Sequence, residues 1–202
     1  LIDRIVRHEG LLAEQWDGHL SRVSVNDFVE QLRDRLPTKM LGREFLDRFG
    51  ETGDRLTRIE PGHLYKIRSR TEHHIYEHTR SRQFVEAISR GMRNGDRSVF
   101  VDAGNSMNAS HWSCGQRCGM GSVPANSLVN ALRKEGPKAG IFGARISGQG
   151  CGGMVAVLAE ASQAAQQALE DSLEAYNRAY NVSARILTGS LAGAMVSGAV
   201  RV

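Results

Sequence analysis

Apolar residues recur at helical spacing along most of the chain, and this pattern predicts a helix-rich fold. In the first 50 residues we expect short helices broken by turns. One has a capping box at Ser24–Asp27 and a stop signal at Pro37, and another is predicted at Glu44–Phe49. The chain lacks an initiator methionine and opens within a helical pattern, so we expect it to be a piece of a longer protein.

A polar, turn-rich stretch separates this first part from the rest. We expect residues 51–74 to form an extended connection. The sequence therefore predicts a helical segment with its connection at residues 1–74 and an α+β domain at residues 75–202. Asp96 and Ser162 are predicted to cap helices of this domain. Apolar stripes on its first two helices are assigned to core packing: Phe84, Ile88, Met92, Val99, Ala103 and Met107.

After Gly140 the pattern changes to short apolar runs that are typical of strands. The four strand candidates are Ile141–Ile146, Met154–Leu158, Ser183–Leu187 and Met195–Val202. The helix that begins at Ser162 lies between the second candidate and the third. This order predicts an α+β domain in which an antiparallel sheet carries helices on one face.

The charge and the cysteine content indicate which binding partners and which cellular compartment to expect. The formal net charge is +4, from 26 basic and 22 acidic residues that are mixed along the chain, so no nucleic-acid partner is predicted. Three cysteines, an odd number, do not suit a disulfide scaffold and favour a reducing, cytoplasmic location. No apolar run approaches the roughly 20 residues that span a bilayer, so we expect no membrane association.

A glycine-rich loop, Ser147–Gly153, separates the first two strand candidates. Gly148, Gly150 and Gly153 match the letters of the dinucleotide-binding fingerprint, but that fingerprint requires a helix after the last glycine, and here a strand pattern follows. Two interpretations stay open on the residues alone. The loop either brings bare backbone up to a ligand, with N–H groups turned toward an anion, or forms a tight bend whose small residues serve packing.

Histidines and cysteines lie close together at two places, and neither predicts a metal site. His111, Cys114 and Cys118 lack a fourth ligand, so we expect a packing role at a helix end. The run His73–His74 with His78 lacks a carboxylate or thiol at matching spacing, and we expect a solvated or locally hydrogen-bonded turn. The arginines expected on exposed helix faces are Arg80, Arg82, Arg90, Arg93 and Arg97.

Several ordered motifs resemble the GHMP kinase superfamily, in its galactokinase and L-arabinokinase branch. The run Gly143–Val157 is similar to the third motif of that superfamily, a glycine loop followed by a strand. Further matches follow the same order along the chain: Phe45–Gly50, Tyr65, Ile67, Arg68, His74–Glu77, Gly95–Asp96, Met107, Ser110–His111, Ser113, Cys118–Ser122, Leu128–Val129, Gly189–Ser190 and Gly193. Ser147, Gln149 and Asn126 depart from the usual pattern, and these departures leave the substrate open.

The resemblance implies a ferredoxin-like GHMP kinase C-terminal domain within an ATP-dependent sugar kinase. It also implies that ATP and magnesium, the catalytic aspartate and most sugar contacts belong to an N-terminal half whose motifs do not occur in this sequence. We therefore expect no catalytic residue here, an inactive isolated chain, and the N-terminal domain as its partner. The residues expected to line the active-site cleft near the phosphates and the sugar are Ser147, Gly148, Gly150, Gly152 and Gly153.

Two residues are expected to support that cleft, and two other functions stay open. By the same resemblance, Ser110 and His111 would fix a helix end beside the cleft. The first alternative function is a non-catalytic sugar- or nucleotide-sensing module derived from a GHMP kinase, and the second is a domain whose cleft wall binds a protein. We also expect an exposed apolar face where the N-terminal half would dock, and hence a homo-oligomer of the isolated chain.

Overall fold

Helices make up most of the computed structural model, which describes residues 2–11, 16, 19–52, 56–148 and 153–189. The helices are α1 (Ile2–His8), α2 (Val25–Asp27), α3 (Gly42–Phe49), α4 (Ile67–Asn94), α5 (Arg97–Cys118), α6 (Val123–Glu135) and α7 (Gln163–Tyr180). The strands are β1 (Met40–Leu41), β2 (Leu64–Tyr65), β3 (Ile141–Ser147) and β4 (Met154–Ala159). β1 pairs with β2 and β3 with β4, both antiparallel, which confirms the α+β class. None of the described helices is both long and apolar enough to cross a bilayer.

The N-terminal helices begin and end at the predicted signals. Ser24 caps α2, and its Oγ accepts a hydrogen bond from the backbone N–H of Asp27 at 3.1 Å. The chain continues through a π-helical turn, Phe28–Leu32, and a 3-10 turn that ends at Arg35, before Pro37. The buried side chains of this region share one apolar core with the start of α4: Ile5, Val6, Phe28, Leu32, Leu36, Met40, Phe45, Ile67 and Ile75.

α4 begins earlier than the sequence predicts. Ile67, Thr71 and Ile75 face the N-terminal core and are buried. Because Thr71 is polar, the sequence does not show an apolar stripe here. In the structure the buried Oγ1 of Thr71 donates to the carbonyl of Ile67 at 3.0 Å. The prediction of an extended connection up to residue 74 is therefore wrong from Ile67 onward. The division of the chain into two domains at that point stays a prediction.

Phe84 and Ile88 of the apolar stripe predicted for α4 pack against the core that α4 shares with α5, but Met92 does not. Met92 is 76% exposed and Val85 61%, whereas the small residues Ala87 and Gly91 are buried. α4 approaches α5 so closely that a Cβ added to Gly91 would lie 2.7 Å from the ring of Phe100. Only small residues fit such a contact. Because the Met92 side chain is mostly exposed, its assignment to core packing is wrong.

α5 matches its prediction. The stripe Val99, Ala103 and Met107 is buried. Asp96 caps the helix, and its carboxylate accepts a backbone N–H at 2.9 Å. Ser162 caps α7 in the same way, at 3.2 Å. These ends are predictable because the cap and its acceptor are neighbours along the chain.

The hairpin of β3 and β4 pairs Ser147 with Met154, so the glycine loop joins neighbouring antiparallel strands, as predicted. This arrangement excludes the dinucleotide-binding fingerprint, whose last glycine opens a helix. One apolar core joins the hairpin to α6 and α7, and its buried residues are Ala125, Val129, Leu132, Ile141, Ala144, Ile146, Ala165 and Ala168.

Of the two remaining strand candidates, only the first lies in the described part of the chain. Ser183–Leu187 lies in the described part of the chain and forms no strand, so that prediction is wrong. The side chain of Asn177 on α7 takes up both backbone groups of Ala184: its amide accepts the N–H at 2.8 Å and donates to the carbonyl at 2.9 Å. Because the N–H and the carbonyl of Ala184 are already hydrogen-bonded to a side chain, they are not available to pair with a neighbouring strand. The candidate Met195–Val202 lies outside the described residues.

Two glycines bring α5 into backbone contact with β3. A Cβ added to Gly104 would lie 1.9 Å from the carbonyl oxygen of Phe142, and a Cβ added to Gly143 would lie 2.6 Å from the Cα of Gly104. Because neither residue carries a side chain, the helix axis lies directly beside the strand. This contact places the C-terminal turns of α5 next to the end of β3, where the glycine loop begins.

Candidate functional site

The glycine loop follows β3 and precedes β4, and a glycine with a positive φ angle and free space where a Cβ would lie is found at each end of it. Gly148 has φ +76° and Gly153 has φ +117°, and a Cβ added to either would meet no atom within 4 Å. These two glycines therefore serve the backbone conformation rather than close packing. Ser147, also predicted as a site residue, ends β3. Gly150 and Gly152 lie outside the described residues.

Side chains of α5 hold the backbone of β3 just before the loop. The N–H of Ala144 donates to Oδ1 of Asn108 at 3.2 Å, and the N–H of Ile146 donates to Nδ1 of His111 at 3.5 Å. Burial, followed by the charges of nearby arginines, lowers the pKa of His111, so a neutral ring is favoured. Because Nδ1 accepts, the ring proton lies on Nε2. His111 therefore contacts the strand that leads into the loop.

Ser110, the other predicted support, takes part in a polar cluster between α4, α5 and β3. Its hydroxyl donates to Oε1 of Glu77 on α4. The same Oε1 accepts from Nη1 of Arg145 on β3 at 2.9 Å, and Oε2 accepts from Nε of Arg80 at 2.9 Å. We call these four residues, Glu77, Arg80, Ser110 and Arg145, the Glu77 cluster. It connects α4, α5 and β3 through one carboxylate.

The Glu77 carboxylate stays ionised although it is largely buried. Burial alone would raise its pKa, but the hydrogen bonds from Ser110 and Arg80, together with the charges of Arg80 and Arg145, outweigh burial and lower the pKa. The prediction that Arg80 lies on an exposed helix face is wrong, because its side chain is only 14% exposed and pairs with Glu77. One carboxylate that pairs with two guanidinium groups is the electrostatic centre of this region.

A cavity of about 300 Å³ opens beside the Glu77 cluster, between α4, α5 and the hairpin. Its charged lining comes from Glu77, Arg80 and Arg145, and its apolar lining includes Phe84 and Met107. The guanidinium groups are already engaged by Glu77. Nη2 of Arg80 forms an ion pair with Oε2 of Glu77 at 2.9 Å but is buried without a hydrogen-bond partner among the described residues.

The histidines and cysteines do not gather into a metal site in the part of the chain that the structure describes. His73 lies within α4 rather than in a turn, so the predicted turn is wrong. Its Nδ1 lies 3.0 Å from Oγ of Ser113, and its Nε2 lies 3.9 Å from Sγ of Cys114. Burial raises the pKa of the Cys114 thiol, which disfavours the thiolate that a metal would require.

Sequence reasoning missed Glu77 as the centre of the site. Its contacts with Ser110 and Arg145 join residues separated by 33 and 68 positions, and no local pattern indicates such pairs. The available signal was the spacing of Glu77 and Arg80, which places both side chains on one face of a helix.

Comparisons with known proteins identify similar chains. Residues 86–178 match the family model described as GHMP kinases C terminal. The L-arabinokinase of Arabidopsis thaliana is 28% identical over 158 residues, which is 75% of this chain and 15% of that protein. The crystal structure of Lactococcus lactis galactokinase complexed with galactose is similar with a TM-score of 0.47 and 19% identity, over 85% of this chain and 39% of that one. The chain thus spans well under half the length of both proteins.

Proposed function

Because residues 86–178 match the family model of the GHMP kinase C-terminal domain, we propose that this chain belongs to the GHMP kinases, is part of an ATP-dependent sugar kinase and forms the glycine-loop wall of the active-site cleft. The L-arabinokinase similarity supports a sugar as the acceptor class, since 75% of this chain takes part in that match. That the complete polypeptide is active, and that it phosphorylates a sugar, are both parts of this proposal.

One observation carries the assignment of the loop. Gly148 and Gly153 adopt positive φ angles, and nothing lies within 4 Å of the positions where their side chains would be. A loop of this kind presents its main chain to a ligand without side-chain obstruction. Successive backbone N–H groups in such a turn can bind phosphate oxygens. Gly150 and Gly152 are included in the wall on the strength of the sequence motif.

The residues of the loop fit phosphate better than they fit a metal ion. Magnesium prefers carboxylate and phosphate oxygens, and Ser147–Gly153 contains no acidic residue. We therefore assign magnesium, most ATP contacts and the catalytic base to the N-terminal half. ATP supplies the transferable phosphoryl group. This chain would supply a fixed edge of the cleft, which matters because phosphoryl transfer depends chiefly on positioning and charge stabilisation.

An ATP-consumption assay of the complete polypeptide tests the proposal. The acceptors are galactose, L-arabinose, galacturonate, glucuronate and fucose, with mevalonate as a non-sugar acceptor and an acceptor-free reaction as the baseline. We expect consumption above the baseline with at least one sugar and none with mevalonate. The absence of consumption with every sugar would contradict the kinase proposal, and sugar or nucleotide binding without turnover would favour a sensing module.

A further inference from the structure

Arg145 links the helical layer to the strand end from which the glycine loop departs. Its Nη1 donates to Oε1 of Glu77 on α4 at 2.9 Å. Its Nε donates to the carbonyl of Ile146, the residue before Ser147, at 3.2 Å. One guanidinium group is therefore held by α4 and itself binds the backbone at the mouth of the loop. Arg145 therefore connects Glu77 to that backbone.

Loss of the Glu77 charge would affect its two arginines differently. The Arg80 side chain is 14% exposed and the Arg145 side chain 31%. Two guanidinium groups without their shared carboxylate would repel each other in a partly buried setting. Arg145 has the easier route to solvent, so it is the residue that would turn away. Its hydrogen bond to the Ile146 carbonyl would be lost with it.

The rest of β3 has independent anchors. Asn108 and His111 accept the N–H groups of Ala144 and Ile146, and β4 pairs with β3 along its length. These contacts do not involve Glu77. Removal of the Glu77 charge should therefore remove one of the contacts that hold the Ile146 backbone and loosen the start of the loop, while the domain stays folded.

We propose that Glu77 is a positioning residue for the glycine loop and acts through Arg145 and the backbone of Ile146. The inference rests on the proposed function for its effect on catalysis. Its structural part, the coupling of a residue on α4 to the mobility of the loop, stands independently of any activity.

Glu77→Gln tests the coupling because glutamine keeps the shape of the side chain and removes its charge. Glu72→Gln is the matched control: Glu72 lies on the same helix, is 17% exposed, and accepts from Nε of Arg33 at 3.1 Å and Nε of Arg117 at 3.2 Å. It connects α4 to α5 without contacting β3. The two variants therefore lose similar charges at similar burial.

Hydrogen exchange of the complete polypeptide, without ligand, gives the first readout. In Glu77→Gln we expect exchange of the peptide that spans residues 146–154 to accelerate by about fivefold or more, since local opening frees these amides. In Glu72→Gln we expect this peptide to exchange at the wild-type rate. An equal change in both variants, or no change in either, would overturn the positioning role.

Kinetics of ATP consumption give the second readout. We expect Glu77→Gln and Arg145→Gln each to lower kcat by about tenfold to 100-fold with little change in the sugar KM, because misplacement by about 1 Å is that costly to phosphoryl transfer. The double variant should lose no more than the single variants, since both act through one contact. Additive losses would contradict the shared route. A wild-type polypeptide without activity would overturn the proposed function alone, and the exchange comparison would still decide the positioning role.

Discussion

At the scale of single residues, His73 and His111 both have a lowered pKa. Burial is the largest cause that lowers the pKa of each ring, and nearby arginines add to it. The carboxylate of Glu77 opposes this effect at His73 without reversing it. Both rings are therefore favoured in their neutral form, in which Nδ1 of His111 can accept the N–H of Ile146.

A lowered pKa in the folded state predicts that acid destabilises the protein. The unfolded chain binds a proton at each histidine near pH 6.5, whereas the folded chain does so only at a lower pH. The stabilisation is therefore complete above about pH 6.5 and is lost as the pH falls through the folded pKa. We expect the free energy of unfolding, measured with urea, to fall between about pH 7.5 and pH 5.

His73→Gln provides the control for this pH dependence. Glutamine can still bond to Ser113, 3.0 Å from the histidine ring, but does not titrate. We expect the urea-derived stability of this variant to depend less steeply on pH over the same interval. The same pH dependence in the variant and the wild type would exclude His73 as a source.

At the scale of secondary-structure elements, the contact between α5 and β3 determines where the site lies. The contact depends on Gly104, whose added Cβ would lie 1.9 Å from a backbone oxygen of Phe142 and 2.3 Å from its carbonyl carbon. Backbone atoms of a paired strand cannot move aside cheaply. The helix and the strand would have to separate, and His111 would separate from the Ile146 N–H.

Gly104→Ala should therefore destabilise the protein although alanine is the better helix former. We expect a loss of about 1–3 kcal/mol from overpacking, which outweighs the gain of about 0.5–1 kcal/mol from helix propensity. Gly115→Ala is the matched control on the same helix, because its Cβ would meet only Met120 oxygen at an ordinary 3.8 Å. Urea denaturation should show a loss for the first variant and a small gain for the second. Equal stability of the two variants would contradict the close contact.

The sequence predicted elements best where their causes are local. The caps at Ser24, Asp96 and Ser162 act on neighbouring backbone groups, and all three are confirmed. The buried face of α4 depends on how near α5 approaches, so the exposure of Met92 could not be anticipated. Glu77 is a similar case, because its partners come from distant parts of the chain.

At the scale of the whole molecule, residues 86–178 match the family model of the GHMP kinase C-terminal domain, and a helical region lies before them. The glycine loop was correctly predicted to join antiparallel strands, since a strand pattern follows its last glycine. Its approach to a phosphate remains a proposal. A cytoplasmic location and self-association of the isolated chain also remain predictions.

Turnover of Gly148→Ala compared with Gly95→Ala tests the central claim most directly. Gly148 has φ +76° and Gly95 has φ +65°, and an added Cβ meets no atom within 4 Å at either position. Each alanine is strained by about 1–2 kcal/mol, but Gly95 ends α4 and is not part of the loop. We predict that kcat of the complete polypeptide falls by about tenfold or more in Gly148→Ala and stays near the wild-type value in Gly95→Ala. Equal turnover in the two variants would contradict a catalytic role for the loop.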